Sequence, residues 1–274
     1  MSHFTVLVIG ENPEDQLQPF DENKQVPEYK DSVVPEEELK KFTEVYTTFV
    51  PERGYGAKSE EEAEENKKLS FEDLYEKRGD DWNGNEWRKD ENGEWAAYST
   101  YNPDSKWDWY VLGGRWTGAF ILKKDKAGEG TLGEISALCS DDYKQEHSKW
   151  KEGRLIVDQA YKGDIDWEAM LKNDVEVAEK QWKEIEKMLK EDDKTVYIRY
   201  GIDEKTTKES YIQNCTGFYT FALLKDGKWY ERGKMGWFAI VQDEKDRDQW
   251  KEEFKKLIDE LPDDTLLSVY DCHI

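Results

Sequence analysis

The sequence predicts an α+β fold, a mixed β-sheet with helices packed on it, on three observations. A nearly unbroken apolar, β-branched run opens the chain, two helices with one apolar stripe each lie in its second half, and an apolar strand closes it. Strands buried on both faces read as continuous apolar runs, whereas packed helices repeat their apolar residues every three or four positions.

"HFTVLVIG" (3–10) predicts a central strand. Residues 11–35, rich in Pro, Asp, Glu and Gln without a sustained period, predict a long surface loop. "EEELKKFTEVYTTFV" starts helical and gives way to β-branched residues before Pro51. "SEEEAEENKKLSFEDLYEKR" predicts an acidic helical insertion, about 59–80, restarted at Ser70 with Asp73 in a capping box. Asn83-Gly84 and Asn92-Gly93, each near a tryptophan, predict hairpin turns. "KWDWYVL" and "RWTGAFILKK" predict two strands joined at Gly113-Gly114.

From about Asp166 to Lys190 the residues Trp167, Met170, Leu171, Val175, Ala178, Trp182, Ile185 and Leu189 form one helical face. "TVYIRYG", "FYTFALL" and "KWYERG" predict strands, the last two linked by a Lys225-Asp226-Gly227 turn. "GWFAIVQ", "EKDRDQWKEEFKKLIDEL" and "TLLSVYDCHI" then predict a C-terminal βαβ unit with parallel strands. No linker-like stretch interrupts this pattern, so residues 1–274 are expected to form a single α+β domain.

Charged residues make up 38% of the chain and its net charge is −23, yet it holds 12 Trp, 15 Tyr and 10 Phe. Rings of that number bury large areas and predict a folded core inside an acidic shell. The acidity argues against direct nucleic-acid binding, which relies on Lys and Arg neutralising phosphates, and against an anionic membrane surface. It leaves room for mimicry of DNA against a basic or DNA-binding host factor. Cys139, Cys215 and Cys272 lie far apart with no CxxC pair, which is neither a disulfide framework nor a zinc knuckle. A reducing cytoplasm is the expected setting. The opening apolar run is too short for a signal peptide or a membrane span.

Three stretches tempt a functional reading. "ERGYGAKS" imitates a phosphate-binding loop, but Ala57 separates Gly56 from Lys58, and Glu60, Glu61 and Glu62 open the helix behind it. His3 and His273 stand at the outer ends of the terminal strands, and on the last strand Val269, Asp271 and His273 share a face. An Asp and a His two apart serve as orienter and base, as two metal ligands, or simply as a terminal polar cluster that satisfies its own hydrogen bonds. A metal would need more ligands than this pattern supplies, so neither a metal nor a cofactor is expected. In "KWDWYVLGGRW", alternation puts Lys106, Asp108 and Tyr110 on one side and Trp107, Trp109 and Val111 on the other as a core wall. Arg115 and Trp116 follow the glycines, which let a backbone approach a ligand closely. An arginine grips phosphates bidentately and aromatic rings stack bases. A tight hairpin whose arginine stacks on a tryptophan accounts for the same residues.

"SHFTVLVIG", "QLQPFDEN", "NPDSKWDWYVLGGRW", "GKMGWF" and "LPDDTLLSVYDCHI" together resemble a family of uncharacterised proteins found largely in bacteriophage genomes and some bacteria. The resemblance covers both ends and the centre and implies no activity by itself. It implies a phage setting, in the host cytoplasm, and a task against host defence. The first expectation is binding of a small anionic molecule, a cyclic nucleotide or ADP-ribose derivative, sequestered without turnover. Its ligand-binding residues would be Lys106, Asp108, Tyr110, Arg115, Trp116, His3, Asp271 and His273. The alternatives are an enzyme that hydrolyses such a signal and an acidic blocker of a host factor.

Overall fold

The computed structural model describes residues 2–78, 86–236 and 240–274. Through the first part of the chain run β1 (His3–Ile9), α1 (Pro13–Leu17), β2 (Tyr29–Val33), α2 (Glu36–Thr47), α3 (Glu60–Asn66), α4 (Phe71–Arg78), β3 (Glu86–Lys89) and β4 (Trp95–Ser99). The middle holds β5 (Trp109–Gly114), β6 (Phe120–Ile121), β7 (Glu134–Ile135), α5 (Asp141–Gly153), β8 (Ile156–Val157), β9 (Gln159–Tyr161) and α6 (Trp167–Lys190). The last part holds α7 (Thr195–Tyr200), α8 (Lys208–Cys215), β10 (Ala222–Lys225), β11 (Lys228–Glu231), β12 (Lys234–Met235), β13 (Val241–Gln242), α9 (Arg247–Asp259) and β14 (Leu266–His273).

These elements make an α+β fold with a mixed sheet. The chain divides into two compact units, Met1–Glu22 with Asp104–Ile274, and Asn23–Pro103.

The larger unit is built on a sheet ordered β11-β10-β1-β14-β5-β7, with β9 pairing the other end of β14. The first and last strands lie antiparallel side by side, His3 opposite His273 and Ile9 opposite Leu267. β10 runs parallel to β1. Both faces of the sheet are covered, which is why β1 and β14 read as continuous apolar runs. On one face Leu7, Ile9, Leu223, Leu267 and Val269 pack against Met170 at the start of α6 and against Trp250, Phe254 and Ile258 of α9. On the other, Phe4, Val6, Val8, Tyr270 and Cys272 pack with Leu17, Phe20 and Trp107. Cys272 is fully buried there, and desolvation pushes its thiol well above the ordinary range.

The caps follow the sequence. Asp166 accepts from Ala169 N at the start of α6, and Asp246 from Asp248 N and Gln249 N at the start of α9. Asp226 and Gly227, both at positive φ, join β10 to β11 as a two-residue hairpin.

Several elements differ from the sequence expectation. The parallel partner of β1 is β10, whereas β14 has only antiparallel neighbours. Of the strand expected over 236–242, the described part, β13, pairs with β12 in a separate two-stranded sheet, so α9 does not connect adjacent parallel strands. Its crossover instead follows β11, which points the same way as β14 with β10 and β1 between them. β5 and β6 do not form a hairpin, since β6 pairs β8. "TVYIRYG" is helical: α7 buries Val196 with Trp182 and Ile185 of α6, and Gly201 ends it in the left-handed region. Tertiary packing overrides the β-propensity of its Val, Ile and Tyr residues.

In the smaller unit, the segment expected as a loop carries β2, which joins β4 and β3 in a three-stranded sheet. α2 remains helical to Thr47, because Phe42, Val45 and Tyr46 bury one face with Leu74 and Trp87. Ser70 restarts the acidic helical segment as α4, its hydroxyl accepting from Asp73 N and donating to the Asp73 carboxylate. Asn92-Gly93 lies in the β3–β4 turn, whereas Asn83-Gly84 falls outside the described residues. The phosphate-loop imitation is closed from within: Glu62 accepts from Lys58 N, and Ser59 caps α3 through Glu62 N.

Candidate functional site

Strand pairing collects polar residues at one end of the sheet face that elsewhere carries α6 and α9. Register sets His3 of β1 opposite His273 of β14, and His273 opposite Trp109 of β5. One step along, Asp271 sits between Thr5 and Val111. Side chains alternate along each strand, so His3, His273, Asp271 and Trp109 share this face.

The two histidines are each held by a carboxylate, and not in the pairing that spacing suggests. Asp271, only 1% exposed, takes His3 Nδ1 at 2.8 Å. His273 Nδ1 contacts Asp108 Oδ1 at 2.6 Å. Asp271 and His273 point to the same side of one strand, about 7 Å apart along it by strand geometry; Asp271 finds its partner on β1, and His273 finds Asp108 in the bend just before Trp109. A carboxylate beside Nδ1 assigns the proton to that nitrogen and leaves Nε2 for exchange. The imidazole centroids stand 4.9 Å apart, with the rings inclined at 68°. The side chains of His3 and His273 are 13% and 14% exposed, and His273 Nε2 is buried without a hydrogen-bond partner among the described residues. Buried polar atoms are nearly always paired, which makes this nitrogen, like Arg232 Nε elsewhere in the chain, one that local packing leaves unexplained. Trp109, half exposed, stands edge-on to His3 at 6.1 Å.

The glycine turn is built around two buried carboxylates. Gly113 and Gly114 both adopt positive φ, 80° and 61°. A Cβ on Gly113 would come within 2.6 Å of Asp158 Oδ2, and one on Gly114 within 2.4 Å of Asp271 Cβ. Here the glycines allow close approach to the protein's own carboxylates. Asp271 Oδ2 accepts from Arg115 N at 2.9 Å, so one carboxylate bridges His3 and the turn. Asp158 accepts from Gly118 N (2.7 Å), Ala119 N (3.0 Å), Gly133 N (2.8 Å) and the Thr117 hydroxyl (2.7 Å). Burial nonetheless pushes its carboxyl above the ordinary aspartate range. Pinned at both ends, the turn presents Arg115 and Trp116 outward, Trp116 being 40% exposed.

The expected residues therefore fall into two groups. His3, Asp271, His273, Asp108 and the backbone of Arg115 come together. Lys106 is engaged elsewhere, in an ion pair with Glu231 at 3.0 Å. Tyr110 lies on the opposite sheet face, edge-on to Trp107 and Tyr270, where burial raises its hydroxyl pKa. The expected core wall of Trp107, Trp109 and Val111 does not form. β5 begins only at Trp109, after a bend at Asp108, so Trp107 is buried on the far side while Trp109 joins the histidines. Trp109 and Asp158 escaped the sequence reading. Alternation from Asp108 put Trp109 in the core, and nothing near Asp158 marks it.

Among the described residues, no group of three or more His, Cys, Asp or Glu side chains is arranged to hold a metal ion. No helix among them is long and apolar enough to cross a membrane. The chain matches no protein-family model, no curated protein and no solved structure.

Proposed function

We propose that this end of the sheet is an acid–base site that cleaves a phosphoester bond in a small anionic molecule, such as a cyclic nucleotide or an ADP-ribose derivative. One observation carries the reading: two carboxylate-held imidazoles lie ring to ring, 4.9 Å apart, on adjacent strands. A single Asp–His pair serves structure as readily as chemistry. Two of them on adjacent strands supply what general acid–base catalysis needs, one proton acceptor and one proton donor.

In the proposed step one neutral imidazole takes a proton at Nε2 from water as the water oxygen bonds to phosphorus. The other imidazole, protonated, gives its Nε2 proton to the leaving oxygen as the P–O bond breaks. The products are a phosphate bearing the water oxygen and a free hydroxyl, and the imidazoles end with their protonation exchanged. Asp271 and Asp108 orient the rings and stabilise whichever carries the proton. Arg115 supplies charge to the non-bridging oxygens, and Trp109 an aromatic surface for a base.

Sequestration without turnover, the first expectation from the sequence, becomes the second reading, favoured by the rigid turn that holds Arg115 and Trp116 outward. Incubation with 3′,5′-cyclic nucleotides, cyclic dinucleotides and ADP-ribose, followed by anion-exchange chromatography, separates the two. Cleavage is expected, with His3→Asn and His273→Asn each lowering kcat by about 10²–10⁴-fold while the ligand-induced rise in melting temperature persists. Intact ligand recovered after denaturation establishes sequestration instead. Neither a melting shift nor a product with any of these compounds refutes both.

A further inference from the structure

A second site lies apart from the histidine cluster and shares no residue with it. Where the start of α6 meets α9 and the 217–219 segment, a cavity of about 430 Å³ opens, within the range of small-molecule pockets. Its walls are apolar, formed chiefly by Trp167, Phe218, Phe254 and Ile258. Trp167 and Phe218 meet edge to face at 61°, and Phe218 and Phe254 at 65°. Walls so inclined leave an angular channel and no parallel slot for a flat ring.

Two lysines at this cavity are unusual in a chain with many carboxylates. Lys251 Nζ donates to the carbonyls of Asn214 (2.9 Å), Thr216 (3.1 Å) and Gln213 (3.3 Å). Lys162 Nζ donates to the carbonyls of Leu261 (2.6 Å) and Asp259 (3.3 Å). Neutral carbonyls hold both ammonium groups in place, taking all three donors of Lys251 and two of the three of Lys162, and among the described residues neither makes the carboxylate contact that Lys255, a third lining lysine, makes with Asp259. Burial, with the neighbouring Arg247, also lowers the pKa of Lys251 against the opposing pull of Asp248 and Asp174. An apolar channel with fixed cations recognises an apolar tail ending in an anion.

We infer that this cavity binds a medium-chain fatty acid, its acyl chain between Trp167, Phe218, Phe254 and Ile258 and its carboxylate toward Lys251 and Lys162. The probe is decanoate below its micellar concentration, followed by calorimetry and by the Trp167 indole N–H resonance, assigned through Trp167→Phe. One site per chain is expected, with the Trp167 resonance shifted. Octanoate should bind about 15-fold more weakly, at about fourfold per methylene, and decanol at least about tenfold more weakly than decanoate, a charge-assisted contact being lost. Lys162→Met, which removes the one ammonium donor not spent on a carbonyl, should weaken decanoate about tenfold or more and leave decanol unchanged, while Lys162→Arg keeps most of the affinity. Lys251→Met, which removes a charge but no free donor and also loosens residues 213–216, should weaken decanoate by a smaller factor in the same direction. The inference is overturned by no binding at millimolar decanoate, by equal affinity for decanol, by an unshifted Trp167 resonance, or by tighter binding of indole-3-acetate than of decanoate.

Discussion

Asp158→Asn tests whether one buried carboxylate holds the turn that carries Arg115. In the wild type, Oδ1 accepts two backbone N–H groups, from Gly118 and Ala119, and Oδ2 accepts the Gly133 N–H and the Thr117 hydroxyl. An asparagine has one acceptor oxygen. Its best placement keeps that oxygen on Gly118 and Ala119 and turns the NH₂ toward Thr117, whose hydroxyl can rotate to accept, and toward Gly133, whose N–H is then orphaned. One unsatisfied buried N–H costs about 1–3 kcal/mol, and loss of charge from the remaining bonds adds about 1 kcal/mol, for about 2–4 kcal/mol in all. Local opening should therefore become about 30- to 1000-fold more frequent.

Amide hydrogen exchange reads this directly at Gly118, Ala119 and Gly133, and suits a chain of two compact units better than one denaturation midpoint. Burial raises the Asp158 carboxyl, so the folded state takes up this proton more readily than the unfolded chain does. Its contribution to stability is therefore fully present below the unfolded pKa and declines as pH rises through the folded one. The deficit of the asparagine variant should accordingly be smallest near neutrality and grow in acid, where protonation stabilises the wild-type fold and asparagine has no proton to take up. Protection within threefold of wild type at all three amides, or equal losses at Ala96 and Ala97 in the other unit, would refute the reasoning.

Two further outcomes follow from the same geometry. Gly114→Ala places a side chain in the left-handed region and against Asp271, so it should destabilise by about 2 kcal/mol or more in thermal or urea unfolding. It should also lower the proposed phosphoesterase activity, because Asp271 must leave His3 or Arg115 N, whereas Gly54→Ala, with open space around it, should be neutral in both assays. Iodoacetamide near pH 8, read by intact mass, should modify exposed Cys215 first, half-buried Cys139 more slowly and Cys272 only on unfolding, since Cys272 is both shielded and held as the thiol.

Much of the scaffold was legible because burial leaves a periodic mark. The stripe Met170, Ala178, Trp182 and Ile185 identified α6, and Trp250, Phe254 and Ile258 identified α9. β1 and β14 announced themselves as runs buried on both sides. Short segments were not legible in this way. Thr195–Tyr200 carries strand-type residues, and only the apolar surface of α6 beside it makes a helix the better burial. The neighbours of β14 could not be read either, because an apolar strand is equally suited to parallel and antiparallel partners.

The amino-acid sequence by itself determined the α+β class, the central terminal strands, the two packing helices, and the concentration of polar residues at His3, Asp108, Asp271 and His273. Tertiary structure alone decided which of these meet. His3 finds Asp271 across 268 residues and His273 finds Asp108 across 165, through the register of β1, β14 and β5. A shift of one residue in either pairing would turn an imidazole to the opposite face. Local propensity carries no information about that register. It is set by burial of Leu7 and Val269 on one face and Val6 and Tyr270 on the other, and the carboxylate–imidazole pairs follow from it.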